Sequence, residues 1–332
     1  MRNCSHFSRL IEYPFAKIKM LSYQTEGLNY SMRSFTNFAL VLLLAAVLAS
    51  TGFAQKPKSK DEALKEIATL VGTKKPEDLA TAYPLAKDFL ARFGKDNKDG
   101  KDKGITQVKA FVEGYRENTF YTSVDANKFA EAFAFGKEIL AEHPDDVLVM
   151  INLAHAGYNS LGAKRDKTYA DETIGFAKKA AAALEAGATP KNYAPYKDKD
   201  EALAWMYYVP GYILLDTDNK ESAANIYKAT TFNSPIKDSS LPYYFIATYY
   251  EDLYAKLSAD KKPADQINKV IDLMMDAYAR AYKKAEVEKN PNATAWKDRL
   301  TQVYKFAKKT EEGLPEFIKF ATLSPLPDPA KF

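Results

Sequence analysis

The sequence predicts an all-α chain in which helix pairs stack on one another, and three observations predict it. Apolar residues recur at three- and four-residue intervals through nearly all of residues 61–322, and no segment alternates as a half-buried strand would. Short breaks rich in Pro, Gly, Asp and Asn separate these runs. Prolines close a helix in similar contexts at Pro144, Pro190, Pro235 and Pro291, the first three spaced 46 and 45 residues apart and the fourth 56 further on. Each interval holds two helices. A lone pair cannot bury both its apolar faces, so regular pairs imply a core shared between neighbours.

The elements begin with a leader. FALVLLLAAVLA at 38–49 follows Met32 and Arg33 and runs into ASTGFAQ. A basic start, a short apolar core and small residues before a cut form a secretory signal peptide. Gly52 and Ala54 supply the small side chains signal peptidase needs, which places cleavage between Ala54 and Gln55. The run is far shorter than the roughly 20 apolar residues of a membrane-spanning helix. The expectation is therefore a signal at 32–54, a periplasmic or secreted product and no stable membrane anchor afterwards. Residues 1–31 fit poorly as a lead-in: either translation starts at Met32 and they are an upstream extension, or the leader is unusually long. The Ala/Leu-rich leader reads as bacterial.

Past the leader, the spacing predicts helices over 61–71, 77–94, 105–119, 125–142, 146–161, 167–186, 199–216, 219–232, 239–258, 264–289, 293–309 and 314–322. Within 125–142, Phe129, Ala132, Phe133, Gly136, Ile139 and Leu140 make one broad apolar face. Asp125 and Asp238 stand before apolar runs as N-cap candidates, while Pro263 and Pro315 sit near first-turn positions. The lysine- and aspartate-rich segment 94–104 reads as a solvated loop, and Pro210-Gly211 as a kink or break in its helix. A helical domain over 55–324 is expected to end in an extended, loose tail, PLPDPAKF at 325–332.

Composition narrows the function classes. Residues 1–54 carry five Lys/Arg and two acids, which leaves 42 basic and 41 acidic residues in the remainder. Such an even mixture has no electrostatic footprint for nucleic acid or anionic lipid. The only cysteine, Cys4, lies within residues 1–54, so the exported chain is expected to have no disulfide, thiol nucleophile or thiolate metal site. With only His143 and His155 left, metal binding would have to rest on carboxylates. Stability must come from packing, which 22 Tyr, 19 Phe and 2 Trp can supply.

Three of the four prolines have an alanine twelve residues earlier, Ala132, Ala223 and Ala279. AFAFGKEILAEHP at 132–144 is followed by Met150, Leu153 and Ala154, and ESAANIYKATTFNSP carries Ala223, Tyr227 and Pro235, with Trp205 as the large residue of its partner helix. These segments resemble the tetratricopeptide repeat (TPR) family, in which the second helix of a pair carries an early small residue and ends at a proline, and the next first helix carries a large residue and a Leu-small pair. The resemblance covers about 125–310, closely over 131–154 and loosely elsewhere. It departs in spacing, since the intervals exceed the family's roughly 34 residues, and 167–186 lacks the alanine in register with Pro190. It implies a right-handed superhelix of stacked antiparallel helix pairs (a TPR-like solenoid) whose first helices face a protein or peptide partner.

Candidate sites follow from residue type. Asn152, His155 and Asn159 share one face of a first helix and read either as a polar recognition stripe or as a solvated face. WMYYVPGY and LPYYFIATYY supply tyrosine clusters that either pack or meet a ligand; Tyr207, Tyr243 and Tyr250 are taken as partner-binding positions. KDNKDG at 95–100 lacks the end carboxylates of a calcium loop, having Lys95 and Thr106 there. Pairs such as Glu113/Glu117 and Glu251/Asp252 read as solvated faces, and Asn292-Ala293-Thr294 is a sequon relevant only in a eukaryotic host. No GxSxG turn is present. The expected function is non-catalytic, with no cofactor and no metal: a scaffold holding a protein or peptide partner in the cell envelope. The alternatives are an all-helical, carboxylate-dependent glycan hydrolase and a small-molecule or sugar binder using the tyrosine-rich segment.

Overall fold

The computed structural model describes residues 58–164 and 166–331. The expected leader, with Ala54, Gln55 and the 1–31 extension, lies outside the described residues. Among the described residues the structure is all-α, with thirteen α-helices. They are α1 (Lys60–Thr73), α2 (Pro76–Phe93), α3 (Lys103–Asp125), α4 (Phe129–Glu142), α5 (Val147–Lys164), α6 (Ala170–Glu185), α7 (Lys199–Ile213), α8 (Asn219–Thr230), α9 (Pro235–Asp238), α10 (Leu241–Ala259), α11 (Ala264–Glu288), α12 (Ala293–Lys308) and α13 (Leu314–Ala321).

Local chemistry explains where the helices begin. Ser59 opens α1 with a reciprocal cap: its hydroxyl accepts from the Glu62 N–H while the Glu62 carboxylate accepts from the Ser59 N–H. Asp102, Asp198 and Asp218 cap α3, α7 and α8 by accepting from Ile105, Glu201 and Glu221 amides. Asp102 also pairs with Lys60 at 2.8 Å, which ties the 94–104 loop to α1.

Packing runs between neighbours in sequence. Consecutive helices pair from α1 through α8; α8 then packs on α10, α10 on α11 and α11 on α12, while α13 returns to α11. Alternate helices also touch: α1 meets α3, α3 meets α5, and α5 meets α7. The core follows the same order. One apolar cluster joins α1–α3, a second α3–α5, a third α5–α7, and a large fourth spreads from α7 to α13. Each of α3, α5 and α7 thus serves two clusters, α5 and α7 through different faces and α3 through its two halves. The repeat alanines sit at crossings: Ala132, Ala223 and Ala279 are at most 1 % exposed. Gly157 and Gly211 allow closer approach still. A Cβ at Gly157 would lie 1.8 Å from Thr173 Oγ1, and one at Gly211 would lie 2.6 Å from Ile226 Cγ1.

Four expectations are corrected. Asp125 is the last residue of α3 and caps nothing; the chain turns through Asn127, at φ 54°, before α4 begins. Asp238 ends a four-residue helix, α9, that Pro235 opens from a first-turn position. Pro210 does not break α7, which continues to Ile213. It stands in the last turn, where its own carbonyl accepts from Leu214 and the Gly211 carbonyl accepts from Ser222 Oγ at 2.7 Å. The segment after α13 is not loose: Leu326 is buried and the Pro329–Lys331 turn packs on α8.

Candidate binding surface

The stripe on α5 is a set of bonds already made. Asn152 is buried, and its side-chain amide donates to the Leu148 carbonyl at 2.8 Å and, across the fold, to the Ala194 carbonyl at 3.0 Å. His155 stands between two partners: Asn159 Nδ2 lies 2.9 Å from Nε2, and the Tyr196 hydroxyl lies 3.3 Å from Nδ1. Burial lowers the His155 pKa to about 4, so the ring is neutral at pH 7. Tyr196 meets His155 edge-on and stacks on Trp205, with centroids 5.8 Å apart and planes within 14°. The stripe therefore holds the chain's own segment 192–196 against α5 and α7.

Trp205 also starts something the stripe lacks. Its ring meets Tyr158 of α5 at 5.3 Å and Tyr208 at 5.6 Å. Tyr158 meets Tyr212 at 5.5 Å, Tyr212 meets Phe245 of α10 at 6.1 Å, and Phe245 meets Tyr244 at 5.9 Å. Tyr244 then stacks on Trp296 of α12 at 4.7 Å and 12°. Ring touches ring from α5 to α12. The local cause on α7 is the i, i+3, i+7 spacing of Trp205, Tyr208 and Tyr212, which shares one helix face. Tyr158, Trp205, Tyr212, Tyr244 and Phe245 are half-buried, while Tyr208 and Trp296 are buried beneath them.

Two acids beside this run are engaged. Glu251 accepts from Tyr278 Oη at 2.8 Å and from Arg299 Nε at 2.6 Å. Asp252 accepts from Asn219 Nδ2 at 2.7 Å, and burial, with Glu251 beside it, raises its pKa. Burial likewise pushes the Tyr158, Tyr208 and Tyr278 phenols well above their usual range. The half-buried rings thus form an apolar band, suited to covering an extended chain or a sugar face.

The three tyrosines expected to bind lie elsewhere. Tyr207 stacks on Phe232 at 5.9 Å with the Lys228 ammonium 5.6 Å from its ring, on the side of α7 that faces α8. Tyr243 is buried and donates to the Lys237 carbonyl at 2.9 Å. Tyr250 is fully buried in the largest core cluster. Each sits in a doublet whose members point about 100° apart. In two of the doublets the neighbour, Tyr208 or Tyr244, is the one on the run. Spacing from Trp205 was the available signal for Tyr208 and Tyr212; Tyr158, Phe245 and Trp296 join only through tertiary contact.

A separate cavity of about 320 Å³ opens between α3, the α4–α5 turn and the loop after α6, lined by Glu117, Tyr121, Asp145, Asp146 and Lys191 among others. Lys191 reaches Glu117 across it at 3.1 Å. Among the described residues, no group of His, Cys, Asp and Glu is placed to hold a metal ion, and no helix is long and apolar enough to cross a membrane. No protein-family model, curated protein or solved structure matches this chain.

Proposed function

We propose that this protein is an exported, non-catalytic scaffold of TPR-like build, and that it holds a protein or peptide partner against the aromatic run. In this reading the helix pairs stack as a right-handed solenoid. Support for stacking comes from the hand-over of the core at α3, α5 and α7, each serving one cluster behind and one ahead. Support for export is the leader pattern at 32–54.

The observation that carries the reading is the unbroken line of rings, five of them half-buried, along α5, α7 and α10. Aromatic side chains with few rotatable bonds and a polar tip make strong anchors for a partner chain. A scaffold is favoured over a carboxylate-dependent hydrolase because Glu251 and Asp252, two acids adjacent in sequence beside the run, are engaged by Tyr278, Arg299 and Asn219. The test is affinity capture from an envelope extract with the full chain as bait. A specific partner should be retained by Tyr207→Ala and lost by the Tyr212→Ala/Tyr244→Ala double variant, both showing native helical circular dichroism. Equal capture by both variants contradicts the proposal.

A further inference from the structure

We propose, resting on the reading of the aromatic run as a partner surface, that the run takes a basic segment of a protein, one that sets Lys or Arg side chains beside its apolar anchors. A row of carboxylates follows the rings along one edge. On α10, Glu251 stands seven residues after Tyr244 and Asp252 seven after Phe245. Seven residues are two helical turns, about 10 Å along the axis with little rotation, so each acid shares a side of α10 with its ring. Asp216 follows Tyr212 just past the end of α7, and burial, then the Asp216 charge, raise the Tyr212 phenol. Asn219, the first residue of α8, donates to Asp252 at 2.7 Å and so brings the turn after α7 alongside the acids of α10. Beyond Glu251, a second pair of rings bounds the acids: Tyr254 meets Phe306 of α12 at 6.1 Å, and Phe306 is 53 % exposed.

Only part of this negative charge is answered within the fold. Glu251 pairs with Arg299 at 2.6 Å. Asp252 is held by a neutral amide, and burial, with Glu251 beside it, raises its pKa, a direction that a cation at its side would reverse. Asp216 is exposed and has no cationic partner among the described residues. Asp216 and Asp252 therefore leave this edge of the run negative. A partner lysine or arginine laid from the rings to these acids gains twice: its stem covers apolar surface, and its cation meets a ring face and a carboxylate. The fold already makes the ring contact at the outer pair, where the Lys309 ammonium lies over Phe306 at 4.8 Å. A partner aspartate or glutamate in the same place would face like charge, which disfavours it. The rings supply anchoring and the acids supply the choice of partner.

The test uses the full chain and fluorescein-labelled synthetic peptides that share their Phe and Leu anchors and carry Lys, Ser or Glu between them. The Lys peptide should bind at least about tenfold tighter than the Ser peptide, with the Glu peptide weakest, and the margin should shrink as salt is raised. Asp216→Lys, made on an exposed turn, should move the preference towards the Glu peptide, and Asp252→Asn should narrow it. Equal binding of the three peptides, abolished by Tyr212→Ala/Tyr244→Ala, would overturn the basic partner and leave the run a peptide surface. A preference for the Glu peptide, or one that Asp216→Lys leaves unmoved in a chain of native helicity, would overturn it as well. So would no measurable binding of the Lys peptide, or binding of a neutral oligosaccharide in place of every peptide. The role of the run itself is judged separately, by capture of a natural partner with the Tyr212→Ala/Tyr244→Ala chain.

Discussion

The polar stripe of α5 and the aromatic run from Tyr158 to Tyr244 carry similar recognition chemistry and meet different fates. On the stripe, Asn152 holds the Ala194 carbonyl and both nitrogens of His155 are engaged, so the chain's own loop occupies what a partner would use. On the run, the rings from Tyr158 to Tyr244 pack edge-on or tilted against one another and keep part of their surface in water. The difference teaches that residue type marks where recognition chemistry exists, and tertiary contact decides whether it is still available.

The strongest way to break the comparison is to disturb the crossing beneath the stripe. Gly157→Val places a side chain on Thr173, whose Oγ1 would be 1.8 Å from the new Cβ. Stability in urea should fall by about 3 kcal/mol, with the loop at 192–196 released. Acid comes next. Because burial depresses the folded His155 pKa to about 4 from 6.5, the unfolded chain binds the proton first. The stabilising contribution is complete above pH 6.5 and is lost as pH falls towards 4. Urea titrations across that window should show a loss of about 2–3 kcal/mol, which His155→Gln should flatten.

A smaller change sharpens the contrast at a single bond. Asn152→Ala leaves the Ala194 carbonyl without its donor, and should cost about 1–3 kcal/mol and alter the fluorescence of Trp205 as Tyr196 loosens from it. Smallest of all is Tyr212→Phe, since no hydrogen bond is made by that hydroxyl among the described residues. Melting should place it within about 0.5 kcal/mol of the parent.

Much of the fold was legible because amphipathic helices announce themselves locally: the run 264–289 is observed as Ala264–Glu288, and 293–309 as Ala293–Lys308. The short α9 was not legible, since four residues hold no period. Pro235 there opens a helix as well as following one. The α3–α4 boundary moved because α3 runs six residues past the predicted end at 119 and its closing turn carries no glycine. The candidate surface was half legible. Aromatic clusters on α7 and α10 were visible, but choosing Tyr207, Tyr243 and Tyr250 required knowing which side of each helix faces the core. The seating of 192–196 on Asn152 and of 324–331 on Arg280 spans more than 40 residues in each case, and no local pattern encodes such a contact.

Photo-crosslinking tests the role of the aromatic run most directly. A photoreactive phenylalanine analogue placed in the full chain at Tyr212, Tyr244 or Tyr207 and irradiated in an envelope extract should give one common partner adduct from positions 212 and 244 and none from 207. An adduct from Tyr207 alone, or none from 212 and 244 in a natively folded chain, would place partner binding somewhere other than the run.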